Sequence, residues 1–109
     1  MSKLVEELLF QIKTTKIAEP VLELKFHDTR KWRFDLSWPD IKFACEVEGG
    51  TWIQGRHSRG AGMEKDMEKY EAAMLLGWTV YRVSGGMIKQ GKAVETISAM
   101  IGALEAKRG

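Results

Sequence analysis

The chain has 109 residues, a length typical of one domain, and we predict a single domain over residues 1–109. With 44% hydrophobic, 9% aromatic and 29% charged residues, the composition is that of a globular protein with a true hydrophobic core, and it excludes a disordered chain. The 17 basic and 15 acidic side chains leave a net charge of +2, which is too small to indicate nucleic-acid binding by itself.

The sequence gives no indication of a membrane protein. No apolar run approaches the ~20 residues of a transmembrane helix, and the N-terminal segment is typical of an amphipathic helix rather than of a signal peptide. We therefore expect no membrane association and a cytoplasmic location. The single cysteine, Cys45, excludes an internal disulfide and a cysteine-rich zinc site, and its place on an apolar strand face predicts a small core residue.

The first half of the chain predicts a helix followed by three strands. Apolar residues at helical spacing indicate an amphipathic helix over about residues 2–15. Its apolar stripe consists of Leu4, Val5, Leu8, Leu9 and Ile12. Alternating apolar and polar residues, the period of a half-buried strand, then predict strands over residues 21–26, 32–38 and 41–48.

The second and third strands form a predicted hairpin with a two-residue turn at Pro39 and Asp40. Trp32, Phe34, Leu36 and Trp38 share one predicted face of the second strand. The predicted register pairs Trp38 with Ile41, Leu36 with Phe43, Phe34 with Cys45, and Asp35 with Ala44. Asp35 is then diagonal to Glu46, and diagonal neighbours lie ~7–8 Å apart, so both carboxylates could reach one ion.

The second half of the chain predicts a loop, a helix, a strand and a last helix. Residues 49–62 are rich in glycine and predict a mobile loop. A helix over residues 63–76 ends at Gly77, and its predicted buried stripe consists of Met63, Met67, Tyr70 and Met74. A short apolar strand over residues 78–83 and a helical turn near residues 87–90 follow. The last helix buries Val94, Ile97, Ile101 and Leu104, which gives the order αβββαβα and a mixed α/β fold.

Three carboxylates share the polar face of the predicted hairpin. They belong to Asp35, Glu46 and Glu48. Hard cations such as Mg²⁺ take oxygen ligands, so Asp35, Glu46 and the Val47 carbonyl form a candidate metal site. The alternative interpretation is that these side chains are only the solvated residues of an amphipathic hairpin.

Basic residues flank these carboxylates in the sequence. Those that could contact a phosphate backbone are Lys31, Arg33, Arg56, Arg59 and Lys69. Any one of them taken alone could be an ordinary solvated side chain. His57 lies in a glycine-rich run and could act as an acid, a base or a donor near a phosphate, although a loop histidine is often inert.

The motifs together resemble a known pattern. In chain order they are Arg33-Phe34-Asp35, Glu46-Val47-Glu48-Gly49-Gly50, the His57 loop, Asp66, and Gly77-Trp78-x-Val80-x-Arg82. This pattern resembles the PD-(D/E)XK nuclease superfamily, and within it the small phage-type proteins related to very-short-patch repair and virus-type replication-repair nucleases. The resemblance covers roughly residues 20–90. The restriction-endonuclease-like core of that superfamily agrees with the order of elements predicted here.

The resemblance implies roles for particular residues. Asp35 and Glu46 would bind Mg²⁺ or Mn²⁺. The third signature position of the superfamily is normally a lysine, and here it is Glu48, which must either bind a second metal or leave the role to another residue. Lys69 on the following helix is the substitute that we favour, and His57 is the next.

A glutamate of the first helix joins the metal site in some members of the superfamily, and the sequence does not distinguish Glu6 from Glu7 for this position. The implied activity is metal-dependent hydrolysis of DNA phosphodiester bonds, with a preference for junctions, flaps or mismatches. The implied partner is DNA, a homodimer is compatible with the small size, and the implied location is a bacterial or phage-infected cell. Two alternatives stay open: a nuclease-fold module that binds nucleic acid without cutting, and an interaction domain with no nucleic-acid role.

Overall fold

The computed structural model describes residues 1–49 and 60–108, and of residues 60 and 61 only the backbone. Over these residues the order of elements is the predicted one. The helical turn predicted near residues 87–90 is present as a short helix, and a 3₁₀ turn joins the second and third strands. The helices are α1 (Lys3–Thr14), α2 (Gly60–Leu75), α3 (Gly85–Lys89) and α4 (Lys92–Arg108). The strands are β1 (Val21–Lys25), β2 (Arg33–Trp38), β3 (Phe43–Glu48) and β4 (Thr79–Ser84), and the 3₁₀ turn is Pro39–Ile41.

The strands form one mixed sheet in the order β1-β2-β3-β4. The first two pairs are antiparallel and the last is parallel. A parallel pair needs a long crossover connection, and α2 lies within the one that joins β3 to β4. The predicted mixed α/β fold is therefore confirmed. No helix over residues 1–49 and 60–108 is long and apolar enough to cross a membrane.

The main core lies between the sheet and helices α1, α3 and α4. The predicted stripes of α1 and α4 are confirmed, because their residues are buried in this core or packed against it. Cys45 is also fully buried here, as predicted. The buried members are Leu8, Ile12, Leu36, Trp38, Phe43, Cys45, Val83, Ile88, Ala93, Ile97 and Ile101.

A second, smaller core lies on the α2 side, where Phe34, Ala44 and Ala73 are buried. The predicted common face of Phe34 and Leu36 is wrong, since Leu36 belongs to the main core and Phe34 to this one. The sheet is irregular between these two residues, because Glu23 of the neighbouring strand β1 has φ 54° and interrupts the pairs Leu22–Leu36 and Leu24–Phe34. Phe34 instead stacks on Phe26, with ring centroids 4.1 Å apart.

The predicted register of the hairpin is also wrong, by two residues. Leu36 pairs with Cys45 and Trp38 with Phe43. The reason is the turn, where Pro39–Ile41 form a 3₁₀ turn and Lys42 adopts a left-handed conformation with φ 50°, so the connection is longer than two residues. Extended by one residue, the observed register places Asp35 directly opposite Glu46 rather than diagonal to it.

Lys42 also joins this turn to the end of α2. Its Nζ donates to the Leu76 carbonyl at 2.8 Å, and its own carbonyl accepts the Thr79 N–H at 2.9 Å. Gly77 ends the helix as predicted, with φ 90°, a conformation that favours glycine.

The predicted buried stripe of α2 is wrong at its three methionines. Met63, Met67 and Met74 are 40%, 57% and 66% exposed, and Tyr70 is half-buried. Ala73 faces the sheet instead, where its small side chain allows α2 to approach Phe34 and Ala44. Successive helical residues are ~100° apart around the axis, so Met74 points well away from the direction of Ala73.

Candidate active site

Asp35 and Glu46 hold each other in place across the end of the β2–β3 ladder. The Asp35 N–H donates to Glu46 Oε2 at 2.8 Å, and the Val47 N–H donates to Asp35 Oδ2 at 2.8 Å. Backbone N–H groups in a folded protein need partners, and beyond the last regular pair these carboxylates provide them. Each carboxylate is therefore oriented by the main chain of the neighbouring strand.

Lys69 of α2 places its ammonium against the same pair. Its Nζ forms an ion pair with Glu46 Oε1, and the two side chains are only 17% and 8% exposed. Burial raises the pKa of Glu46, while the hydrogen bond and charge of Lys69 act in the opposite direction. The structure thus brings together three of the predicted residues, Asp35, Glu46 and Lys69, from two strands and one helix.

Tyr70 and Arg82 extend this arrangement to Glu48. The Tyr70 hydroxyl lies 3.2 Å from Glu46 Oε1 and 3.5 Å from Glu48 Oε2, and Arg82 Nε donates to Glu48 Oε2 at 2.8 Å. The Arg82 guanidinium also lies 4.8 Å from the centre of the Tyr70 ring. Glu48 is therefore paired with an arginine and is 27% exposed.

The protonation of these groups follows from their surroundings. Burial, followed by the charges of Glu46 and Glu48, raises the pKa of the Tyr70 phenol, so it stays protonated and able to donate. The hydrogen bond to Glu48 is the largest cause that raises the pKa of Arg82. Burial, with added repulsion from Asp35 and Glu46, raises the pKa of Cys45 to about 12, so its thiol stays protonated at neutral pH.

Sequence reasoning did not assign a site role to Tyr70 or Arg82. Tyr70 was included in the predicted buried stripe, and Arg82 appeared only in the family-like pattern. A signal for Arg82 was present, because it is the one charged residue in a short apolar strand. Its neighbour across the sheet, Glu46, follows from the parallel β3–β4 pairing, which the sequence did not reveal.

The other predicted residues lie outside this cluster. Arg33 is half-exposed and lies 3.9 Å from Glu23, and Lys31 is exposed. Glu6 is exposed and Glu7 is partly exposed, and neither forms an ion pair with a residue that the structure describes. The predictions for Arg56, His57, Arg59 and most of the loop over residues 49–62 fall outside the described residues.

The donor set at the centre suits a hard divalent cation in its chemistry. Asp35, Glu46 and the Val47 carbonyl offer only oxygen atoms. Asp35 uses Oδ2 for the Val47 N–H, which leaves Oδ1 for another ligand. Both oxygens of Glu46 already accept hydrogen bonds, so an ion would share Glu46 with Lys69 or displace it. No group of three or more His, Cys, Asp or Glu side chains forms a metal-binding cluster over residues 1–49 and 60–108.

Comparison with solved structures identifies the fold. The chain is similar to the catalytic domain of the homing endonuclease I-Bth0305I, with a TM-score of 0.62 over 98% of this chain and 97% of that domain. The sequence identity is 14%, so this similarity shows the fold alone. The protein therefore has a nuclease-like α/β fold.

Comparison of sequences gives relatives that are much longer. The chain is 34% identical over 65 residues to the uncharacterized proteins MT2308 and Rv2248 from two strains of Mycobacterium tuberculosis. The match covers 56% of this chain and 22% of those proteins, so the chain spans about a fifth of the length of the curated relatives it matches. No protein-family model matches the chain.

Proposed function

We propose that this protein is a metal-dependent DNA endonuclease of the PD-(D/E)XK type. The observation that carries the proposal is the convergence of Asp35, Glu46 and Lys69, two oriented carboxylates with a largely buried ammonium, on a nuclease-like fold. Metal-dependent phosphodiester hydrolysis needs carboxylates to hold the ion and a cationic group near the phosphate. This chain supplies both within one cluster.

Asp35, Glu46 and the Val47 carbonyl are the residues that would hold Mg²⁺ or Mn²⁺. When bound, such an ion increases the acidity of a coordinated water and neutralises charge on the phosphoryl group. Lys69 takes the place of the signature lysine, since Glu48 occupies its usual position and is paired with Arg82. The Lys69 ammonium can donate a hydrogen bond to a phosphate oxygen or to the attacking water.

Tyr70 and Arg82 act through the carboxylates rather than on the phosphate. The Tyr70 hydroxyl lies between Glu46 and Glu48 and donates its one hydrogen to either of them, and Arg82 donates to Glu48 from the neighbouring strand. Two contacts to different elements limit the positions that each carboxylate can occupy. A catalytic group that is held in one position needs less reorganisation during the reaction.

Basic residues are the proposed contacts between the protein and its DNA substrate. Lys31 and Arg33 are exposed cations at the start of β2. With them, Arg56, His57 and Arg59 of the glycine-rich run would contact the phosphate backbone. We further propose that the enzyme prefers junctions, flaps or mismatches, that it acts as a homodimer, and that it works in the cytoplasm of a bacterial or phage-infected cell.

A second candidate is a module that binds nucleic acid without cutting it. A specific observation favours it: Glu48 replaces the signature lysine, and Lys69 already occupies one oxygen of Glu46. If Lys69 cannot leave Glu46, the carboxylate stays neutralised by the ammonium and holds no ion. The two candidates therefore differ in the fate of this one ion pair.

The decisive experiment measures cleavage of labelled duplex, flap, mismatch and four-way-junction DNA with Mg²⁺ or Mn²⁺. We expect cutting that EDTA abolishes and that Glu46→Gln or Lys69→Met lowers by at least ~100-fold, the typical effect of removing a group that stabilises the transition state. Glu105→Gln, an exposed carboxylate on α4, serves as the matched control and should retain full activity.

The outcomes separate the candidates. Salt-sensitive DNA binding by the wild type without cutting in either metal would support the binding module. Cutting that Glu46→Gln leaves unchanged would overturn the assigned site, and cutting in EDTA would overturn the metal dependence. Absence of both cutting and DNA binding would exclude both candidates.

A further inference from the structure

The three methionines of α2 lie along one face of the helix, are exposed, and have no role in the proposed active site, which uses Tyr70 of the same face. We call Met63, Met67, Tyr70 and Met74 the methionine face. Their spacing is four, three and four residues, the repeat with which one helix packs along another. The three methionines are between 40% and 66% exposed, so the stripe has the pattern of a helix contact without a covering element among the described residues.

The methionine face continues into a groove beside the sheet. A cavity of about 310 Å³ is lined by Tyr70, Met74, Trp78, Val80 and Arg82. It lies between α2 and β4, which is an edge strand of the sheet. The apolar surface is therefore concave along one side, which is the shape that receives an amphipathic helix.

Two acidic residues of α2 lie next to the methionine face. Glu64 directly follows Met63, Glu71 directly follows Tyr70, and both are exposed. In a helix pair these positions lie next to the apolar contact, where their charge selects the partner. A second copy of α2 packed antiparallel on this face would place the same two glutamates against each other, which disfavours self-association.

We propose that the methionine face and its groove bind an amphipathic helix of a partner protein, with an apolar stripe flanked by lysine or arginine. The apolar side chains of the partner helix would cover Met67 and Met74, and its lysine or arginine side chains would pair with Glu64 and Glu71. Methionine side chains are flexible and polarisable, so this surface can adapt to partner side chains of several shapes. The proposal does not depend on nuclease activity.

The test measures binding of the whole chain to a synthetic helical peptide of about three seven-residue repeats. In each repeat, written abcdefg, leucine occupies the apolar positions a and d, and lysine occupies the flanking positions e and g. A matched peptide carries glutamate at e and g. We expect the lysine peptide to bind more tightly, and we expect Met67→Gln or Met74→Gln to weaken its binding about tenfold each. The double variant Glu64→Lys, Glu71→Lys should reverse the preference between the peptides, measured by fluorescence anisotropy.

Phe10→Gln is the matched control, because Phe10 is 70% exposed on α1, away from this surface. It should leave peptide binding unchanged, and thermal melts should show that all variants remain folded. Equal binding of both peptides, or equal effects of Phe10→Gln and Met67→Gln, would overturn the proposal. Self-association that Met67→Gln abolishes would assign the face to a second copy, and displacement of the peptide by duplex DNA would assign it to nucleic acid.

Discussion

The two sides of the sheet are made of different chemistry. Toward α1, α3 and α4 the buried residues form one continuous apolar core. Toward α2, among the residues that the structure describes, the buried apolar cluster is Phe34, Ala44 and Ala73, and an ionic network lies beside it. Apolar burial stabilises a fold by ~25 cal/mol per Å². A buried ion pair costs about as much in desolvation as its attraction returns. The first side therefore supplies stability, and the second side places charged groups at little net gain in stability.

The largest expected effect comes from removing the Lys69 ammonium on the α2 side of the sheet. Lys69→Met leaves the Glu46 carboxylate buried without its cation, and we expect the free energy of unfolding at neutral pH to fall by ~3–5 kcal/mol. Burial raises the pKa of Glu46 in the folded state, and loss of Lys69 raises it further. A carboxyl with a raised pKa favours the fold at low pH and loses that contribution as the pH rises through the folded-state pKa, so the deficit should shrink in acid.

The double variant Glu46→Gln, Lys69→Met sharpens the same point. With both charges removed, we expect stability close to that of the wild type or above it, by up to ~1–4 kcal/mol. Urea unfolding of the wild type and both variants at several pH values provides the measurement. A double variant as unstable as Lys69→Met would show that the network stabilises the fold.

The next test compares one substitution at two sites. Leu8 is fully buried in the main core, while Leu75 at the end of α2 is 78% exposed. Leu8→Ala should lower the free energy of unfolding by ~2–5 kcal/mol, because it removes apolar contacts and leaves a cavity. Leu75→Ala should stay within ~0.5 kcal/mol of the wild type. Equal losses in urea unfolding would contradict the assignment of stability to the main core.

The smallest expected effect concerns two tyrosine hydroxyls on opposite sides of the sheet. The Tyr70 hydroxyl contacts Glu46 and Glu48, whereas the Tyr81 hydroxyl is buried without a hydrogen-bond partner among the described residues. Tyr70→Phe should cost ~1.5–3 kcal/mol, the range for hydrogen bonds to charged groups, and Tyr81→Phe should be neutral or stabilising. Thermal melts of both variants give the comparison, and a costlier Tyr81→Phe would contradict it.

Much of the fold could be predicted because periodicity reports which face of an element is buried. The stripes of α1 and α4 were confirmed, since each helix buries one face in the main core. The stripe of α2 was wrong because periodicity does not say what covers an apolar face, and in this structure the sheet contacts Ala73 instead. The hairpin register was wrong because the left-handed Lys42 lengthens the turn, and lysine gives little sign of that conformation.

The candidate site was predictable in its carboxylates and less so in its other members. Asp35 and Glu46 lie together because strand parity survives a slip of two residues. The placement of Lys69 beside Glu46 agrees with its choice as the substitute lysine, while its catalytic role stays a prediction. Tyr70 and Arg82 could not be assigned, because their approach depends on how α2 and β4 sit on β3.

The link between Lys42 and the end of α2 has a consequence for the candidate site. The Leu76 carbonyl and the Thr79 N–H are both held by Lys42, seven or more residues beyond Lys69 along the chain. Because this end of α2 is fixed, the rotation of the helix about its own axis is fixed too. A shift of one residue along the chain turns a side chain by ~100° around that axis. The β2–β3 turn therefore determines the direction in which Lys69 points. One residue inserted or deleted between Lys69 and Leu76 would rotate the Lys69 ammonium away from Glu46, although both residues would still be present in the sequence.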